Sequence, residues 1–133
     1  MMLFLRILHG LRAPFRDTQR RFLAKVDVRG PDDCWLWRGR KSGRTVRKNG
    51  GTREQYGALR VHGRSVFAHR FALFGIAALY RKDKSLHHCD TPLCMNGRHL
   101  FAGTTSDNLR DAEDKGRIVR VRGRFARKPV ART

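Results

Sequence analysis

The chain has 133 residues, of which 30 are Lys or Arg and 11 are Asp or Glu, so its formal net charge is +19. This length suits one domain, and so positive a charge is typical of proteins that neutralise phosphates rather than of small-molecule enzymes. The three cysteines exclude a fully paired intrachain disulfide framework, because one of them would be left over.

Composition also bears on where the protein acts. No apolar run is long enough to cross a bilayer, and the apolar residues 1–11 are interrupted by Arg6. We therefore expect a soluble, intracellular protein without membrane contact, in the cytoplasm or nucleoid of its host, or in the nucleus of a eukaryote. In these compartments cysteines more often bind metal than form disulfides. On charge alone, a ribosomal-type or merely sticky basic protein is the alternative to a nucleic-acid enzyme.

The first part of the chain is predicted to be a basic leader over residues 1–30. It contains a helix near 17–26, and Gly30 and Pro31 then break the chain. The aromatic stretch 34–37 is predicted to form a short strand.

The central part alternates between basic and apolar segments. Residues 38–66 are predicted to form an antiparallel β-ribbon, with a hairpin turn at His62 and Gly63. Phenylalanine and leucine then recur at helical spacing, which predicts a core helix over residues 67–79. This helix carries His69, which we expect to be a packed histidine rather than a ligand.

The last part is predicted to contain a short strand at 100–102 and a helix that ends at Lys115, with Gly116 as its stop signal. Candidates for the N-cap of this helix are Thr104, Thr105 and Ser106. Residues 118–133 form a basic tail without an acidic residue, which we expect to be disordered until it meets a partner.

The cysteines are spaced as metal ligands. Cys89 and Cys94 are five positions apart, and His99 is five beyond Cys94. Thiolates and an imidazole suit tetrahedral zinc, and Cys34, the only other cysteine, completes a Cys3His set. A structural zinc held by these residues would cross-link the two halves of a domain with a thin core. The alternative is a set of buried free thiols with His99 on the surface.

Residues 87–108 carry a longer pattern, which begins HHCDTPLCMNGRHL. It resembles the core of ββα-metal (His-Me finger) nucleases, most closely the His-Cys box homing endonucleases and the phage HNH endonucleases. The positions that match the family pattern are His87, Cys89, Cys94, Asn96, His99 and Asn108. Weaker similarity in the strand at 34–37, at Tyr56-Gly57 and at His69-Arg70 extends the match over roughly residues 30–117.

The resemblance implies an α+β fold, namely a small zinc-stapled ββα-metal nuclease fold with an antiparallel β-ribbon and flanking helices. The nuclease domain would span residues 31–117, with the β-ribbon at 38–66 and the catalytic ββα motif at 86–116. The segment 118–133 would then be a tail outside this domain.

The resemblance also implies roles for individual residues. His87 would be the general base, and Asn108 would bind one divalent ion, usually Mg²⁺, at the active site. His88 is the alternative base, and the presence of all three cysteines favours a structural role for His99. Asn96 is expected to fix the loop through hydrogen bonds to the backbone.

An arginine beside the phosphate would stabilise the transition state. The resemblance nominates Arg53 for this role, and Arg60 and Arg64 are its rivals. The nominated arginine would otherwise contact only the DNA backbone.

The expected function is that of a magnesium-dependent, site-specific endonuclease that leaves 5′-phosphate and 3′-hydroxyl ends. Its partner would be double-stranded DNA, with no small-molecule substrate, and cutting both strands calls for a homodimer. The ribbon would lie in the major groove, with candidate DNA contacts at Arg38, Arg40, Lys41, Arg44, Arg47, Lys48, Gln55, Arg60 and Arg64. The alternatives are a zinc-stabilised DNA-binding protein without catalysis, and a nonspecific or nicking nuclease.

Overall fold

Three α-helices and four short antiparallel strand pairs make up the part of the chain that the structure describes, residues 13–42 and 55–127 of a computed structural model. The α+β class predicted from the sequence is therefore confirmed. In these ranges no helix has the length and apolar character needed to cross a membrane. The elements are α1 (Ala13–Leu23), β1 (Val26–Asp27), β2 (Leu36–Trp37), β3 (Ala58–Val61), β4 (Arg64–Phe67), α2 (Ala68–Phe74), β5 (Lys84–His87), β6 (Leu100–Gly103), α3 (Thr105–Asp114), β7 (Ile118–Val121) and β8 (Arg124–Arg127).

The basic N-terminal helix packs onto the core. Phe22 is buried, and its ring centroid lies 5.6 Å from that of Trp37 and 5.2 Å from that of Phe71. Helix α1 spans Ala13–Leu23, so the boundaries predicted near 17–26 begin and end too late. The buried cluster around these rings contains Leu59, Val61, Val66, Ala68, Ala72, Ala78, Met95 and Leu100.

Two antiparallel pairings are present in the described residues of the predicted ribbon. Residues 40–42 pair with 56–58, where Ser42 N donates to the Tyr56 carbonyl at 2.7 Å and Ala58 N donates to that of Arg40 at 2.8 Å. Strands β3 and β4 then form a hairpin. The turn at His62 and Gly63 has positive φ at both residues, 46° and 77°, which is the geometry of a type I′ turn and confirms that prediction. Residues 43–54 of the ribbon lie outside the described part.

The core helix is shorter than its apolar pattern predicts. Helix α2 ends at Phe74, because Gly75 adopts φ 58°, and residues 75–79 continue as a 3-10 helix. The prediction of one helix over 67–79 is therefore wrong in its second half. Arg70 braces this bend by donating to the carbonyl oxygens of Ala78 and Arg81 at 3.4 and 2.8 Å.

A strand pair and a helix form the C-terminal half of the domain. Strands β5 and β6 pair over their whole length, with His87 opposite Leu100. Helix α3 follows β6 directly and is capped by Thr104, one of the three predicted candidates. The Thr104 hydroxyl accepts from Asp107 N at 3.2 Å while the Asp107 carboxylate accepts from Thr104 N at 2.8 Å. The Thr104 hydrogen bonds also lower the pKa of Asp107. Gly116 has φ 66°, which confirms it as the stop.

The basic tail is partly ordered. Residues 118–121 and 124–127 form the β7–β8 hairpin, so the expectation of disorder is wrong for this segment. Its turn at Arg122 and Gly123 has φ of 48° and 76°, the same geometry as the turn in the ribbon. An ion pair of 3.1 Å between Arg120 and Glu113 joins the hairpin to α3.

Replacing the cap residue of α3 should destabilise the domain. Thr104→Ala removes both hydroxyl contacts with Asp107, and such losses cost about 1 kcal/mol. Ser106→Ala, an exposed change in the same helical turn, is the matched control and should leave the free energy of unfolding nearly unchanged. Urea denaturation of the two variants measures the difference, and equal destabilisation would contradict the capping role.

Candidate functional site

Cys34 reaches the distant loop at 89–99 through backbone pairing. Met95 N donates to the Trp35 carbonyl at 2.8 Å, and Trp37 N donates to the Leu93 carbonyl at 2.9 Å. These bonds flank a bridge between Leu36 and Cys94, so β2 lies antiparallel to the loop. The pairing brings β2 against residues that lie far along the chain.

Asn96 fixes the same junction with its side chain. It is 1% exposed, and its Nδ2 donates to the carbonyl oxygens of Pro31 and Asp33 at 2.8 and 2.7 Å. Its Oδ1 accepts from Arg98 N at 3.0 Å. The predicted role in fixing the loop is confirmed by these contacts, and it explains why a polar residue is tolerated at full burial.

The four residues of the predicted metal set lie together at this junction. The ligand atoms of Cys34, Cys89, Cys94 and His99 are all within 4.8 Å of one another. His99 directs Nδ1 between two sulfurs, 3.6 Å from Sγ of Cys34 and 3.5 Å from Sγ of Cys94. The cluster can therefore hold a metal ion.

The residue types of the cluster suit a metal ion. Cys94 is fully buried, and burial raises the pKa of its thiol to about 12. A buried thiolate is stable only beside a compensating positive charge, which a bound cation supplies. The donor set of three sulfurs and one imidazole is the kind that soft or borderline transition metals prefer.

A cleft next to this cluster contains both residues of the predicted catalytic pair. The cleft has a volume of about 410 Å³, and His87 at the end of β5 and Asn108 on α3 both line it. His88 lies in the turn that follows β5 and is not among the residues that line the cleft. Its ring stacks on Phe101 instead, with 4.2 Å between centroids.

A backbone contact sets the orientation of the His87 ring. Its Nε2 lies 3.1 Å from the carbonyl oxygen of Cys94. A carbonyl oxygen only accepts hydrogen bonds, so Nε2 donates in this contact, and the neutral ring would carry its proton on Nε2 rather than on Nδ1. Cys94 thus contributes its sulfur to the Cys3His cluster and its carbonyl oxygen to the contact with His87.

His69 packs behind His87, as expected for a core histidine. It is 6% exposed, and its ring centroid lies 5.0 Å from that of His87 and 5.1 Å from that of Tyr56. Burial lowers the pKa of His69 to about 3, and the charge of Arg70, together with that of His87 when its ring is protonated, acts in the same direction. The ring is therefore neutral near pH 7 and serves as a packing surface for His87.

Four charged residues beside the cleft were missed by the sequence analysis. Lys115 Nζ lies 3.1 Å from Asp90 and 2.9 Å from Asp111, and it donates to the His88 carbonyl oxygen at 2.9 Å. Arg117 pairs with the same two carboxylates, at 3.3 and 2.6 Å. Only the i,i+4 spacing of Asp111 and Lys115 signals any of these pairs in the sequence. These ion pairs join α3 to the end of β5 and to the loop at 89–99.

The predicted DNA contacts and the nominated arginine are spread over several surfaces. Arg53, Arg44, Arg47 and Lys48 lie outside the described residues. Among the others, Arg60 lies beside Arg21 and Asp17, and Arg64 lies beside Arg81, so neither lines the cleft of His87. Exposed side chains are those of Arg38, Arg40, Lys41, Arg60 and Arg64, whereas Gln55 is half-buried.

Comparisons with known proteins find one relative and no described family. The chain is 30% identical to Protein 2.8 of Escherichia phage T7 over 103 residues, which are 76% of this chain and 63% of that protein. The chain therefore spans less than two thirds of the length of this relative. No family model matches the chain. No solved structure matches it.

Loss of one ligand should weaken metal binding. We expect His99→Ala to release a bound Zn²⁺ ion at a lower concentration of competing chelator and to unfold at a lower temperature than the wild type, because it opens the cluster. His88→Ala is the matched control, since this neighbouring histidine lies outside the cluster. Chelator titration with metal analysis measures both variants. If His99→Ala retained metal as tightly as the control, these four residues would not be the metal site.

Proposed function

We propose that this protein is a divalent-metal-dependent DNA endonuclease that hydrolyses phosphodiester bonds in the cleft between β5 and α3. The observation that carries the proposal is the arrangement of His87, which lines this cleft with Asn108 and is held through Nε2 by the Cys94 carbonyl. A histidine that donates through Nε2 is in the tautomer that can take up a proton at Nδ1. The name of the phage relative states no activity, so the proposal depends on the site.

The proposed step is hydrolysis at a backbone phosphate. The oxygen of a water molecule attacks phosphorus while the bond from phosphorus to the 3′ oxygen breaks. The proton of this water passes to Nδ1 of His87, and the leaving 3′ oxygen takes up a proton from solvent. The products are a 5′-phosphate and a 3′-hydroxyl.

Asn108 is the proposed ligand of a catalytic Mg²⁺ ion. Of the described cleft residues, Asp90 and Asp111 are already ion-paired with Lys115 and Arg117, whereas the exposed Asn108 offers a neutral amide oxygen. Magnesium keeps several waters and accepts few protein ligands, so water and phosphate oxygens would complete its coordination. A bound Mg²⁺ supplies stabilisation of the negative charge on the scissile phosphate and the leaving oxygen.

The metal proposed for the Cys3His cluster is a structural zinc ion. Tetrahedral zinc with sulfur and nitrogen ligands places those ligand atoms about 3.6 Å apart. The distances from His99 Nδ1 to the sulfurs of Cys34 and Cys94 are 3.6 and 3.5 Å. Four protein ligands leave no open position, which fits a structural rather than a catalytic ion.

Charge supports a nucleic acid as the substrate, and we propose that it is double-stranded DNA. The net charge of +19 favours a polyanion, and the exposed cations of the ribbon base, Arg38, Arg40 and Lys41, fit phosphate contacts. Cutting both strands at one site requires two active sites, and a symmetric homodimer would supply them. The proposed enzyme is therefore a site-specific homodimer. The alternative is a monomer that nicks one strand.

Plasmid cleavage tests the proposal. With Mg²⁺, the wild-type chain should convert supercoiled plasmid to cut products, and EDTA should prevent this. His87→Ala should lower the rate by about 10²–10⁴-fold, the range for loss of a general base, and Asn108→Ala should also lower it through loss of metal. His88→Ala, the change in the neighbouring histidine, should retain most of the activity.

The products and failures of this assay separate the alternatives. Linear product indicates cleavage by a dimer, and open circles that accumulate indicate a nicking monomer. Intact plasmid that is nevertheless shifted on a gel would show a DNA-binding protein without catalysis and would overturn the proposal. If His88→Ala lost more activity than His87→Ala, the assignment of the base would be wrong.

A further inference from the structure

The proposed reaction needs a cation beside the scissile phosphate, and the described residues of the cleft offer three. They are Arg70, Lys84 and Arg117. Arg60 and Arg64 lie elsewhere on the surface. The three side chains differ in the contacts that they already make, and these contacts indicate which of them is placed to bind a phosphate.

Arg70 is engaged in maintaining the fold. Its guanidinium donates to the backbone carbonyl oxygens of Ala78, Arg81 and Asp83, and it lies 5.5 Å from the centroid of the Phe74 ring. Those bonds cap the bend that follows α2. Both terminal nitrogens of Arg70 are therefore engaged by the backbone.

Arg117 is held in place by side chains of the cleft. Its Nη2 lies 2.6 Å from Oδ2 of Asp111 and 3.3 Å from Oδ1 of Asp90. Asp111 is three residues after Asn108 on α3, so the two side chains share one face of the helix. The same carboxylates hold Lys115, whose Nζ lies 3.4 Å from the His87 carbonyl oxygen. Arg117 is therefore tied to the elements that carry both His87 and Asn108.

The guanidinium of Arg117 keeps donors for a ligand. Both ion pairs run through Nη2, whereas a guanidinium also presents N–H groups on Nε and Nη1. The side chain is 44% exposed, so a phosphate in the cleft can reach it. Lys84 is a point charge on a flexible stem and lacks a planar fork for two phosphate oxygens. Orientation and donor geometry thus both favour Arg117.

We propose that Arg117, oriented by Asp111 and Asp90, donates to the scissile phosphate and stabilises the charge that develops on it in the transition state. This inference rests on the proposed nuclease function and assigns to Arg117 the role for which the family resemblance nominated Arg53. Asp111 and Asp90 act as positioning residues. Because their charges and those of Lys115 and Arg117 cancel, the contribution comes from directed hydrogen bonds rather than from net charge.

The assignment is tested by the single-turnover cleavage rates of Arg117 variants, measured on a duplex that contains a mapped cleavage site. Arg117→Ala should lower the single-turnover rate by about 10²–10³-fold, the range for loss of one oriented donor. Arg117→Lys keeps the charge and an ion pair but loses the planar fork, so its rate should fall between those of the wild type and Arg117→Ala. Arg110→Ala is the matched control, since this exposed arginine of α3 lies outside the cleft. The thermal unfolding temperature of each variant shows whether loss of its ion pairs has destabilised the fold.

A chemical change in the DNA locates the contact. A methylphosphonate at the scissile position removes the charge of that phosphate and blocks cleavage, so Kd can be measured directly. The wild type should bind this duplex more weakly than the native one, and Arg117→Ala should show a smaller difference. If Arg117→Ala and Arg117→Lys cleaved as fast as Arg110→Ala, the inference would be overturned. It would also be overturned if the losses of binding free energy caused by Arg117→Ala and by the methylphosphonate simply added. A wild type that cleaves no DNA would refute the proposed function as well.

Discussion

The structure depends on the antiparallel docking of β2 against the loop that carries Cys94. Two backbone bonds, from Met95 to Trp35 and from Trp37 to Leu93, join residues far apart in the sequence. Asn96 reinforces the docking with two bonds to the segment before β2, at almost complete burial. Since the buried apolar cluster is small, we infer that this polar junction, closed by the Cys3His cluster, contributes much of the stability that a larger core would provide.

The same junction determines what the cleft can do. Cys94 lies at its centre, with its sulfur in the cluster and its carbonyl oxygen on Nε2 of His87. Any displacement of the loop would therefore turn the His87 ring as well as open the cluster. On the other side of the cleft, Lys115 links the end of β5 to the α3 carboxylate Asp111. In our account the metal cluster and the ion pairs hold His87 and Asn108 at fixed positions before DNA binds.

Local signals in the sequence predicted part of this arrangement, and the limits of the prediction have physical causes. Spacing and residue chemistry identified the four members of the cluster, which the structure brings together. The β7–β8 hairpin was missed because a high density of arginine was interpreted as disorder, although Arg122-Gly123 repeats the turn pattern of His62-Gly63. The carboxylates that hold Arg117 could not be found from sequence, since Asp90 meets it only through tertiary packing. The catalytic roles stay predictions.

The most direct test of the account is the tautomer of His87 in the zinc-loaded protein. A proton–nitrogen correlation spectrum of the histidine rings, assigned with a His87→Gln variant, reports which ring nitrogen carries the proton. We expect the neutral His87 ring to be protonated at Nε2, because the Cys94 carbonyl oxygen accepts from Nε2–H. A neutral ring protonated at Nδ1 would contradict the claim that the loop carrying Cys94 orients His87.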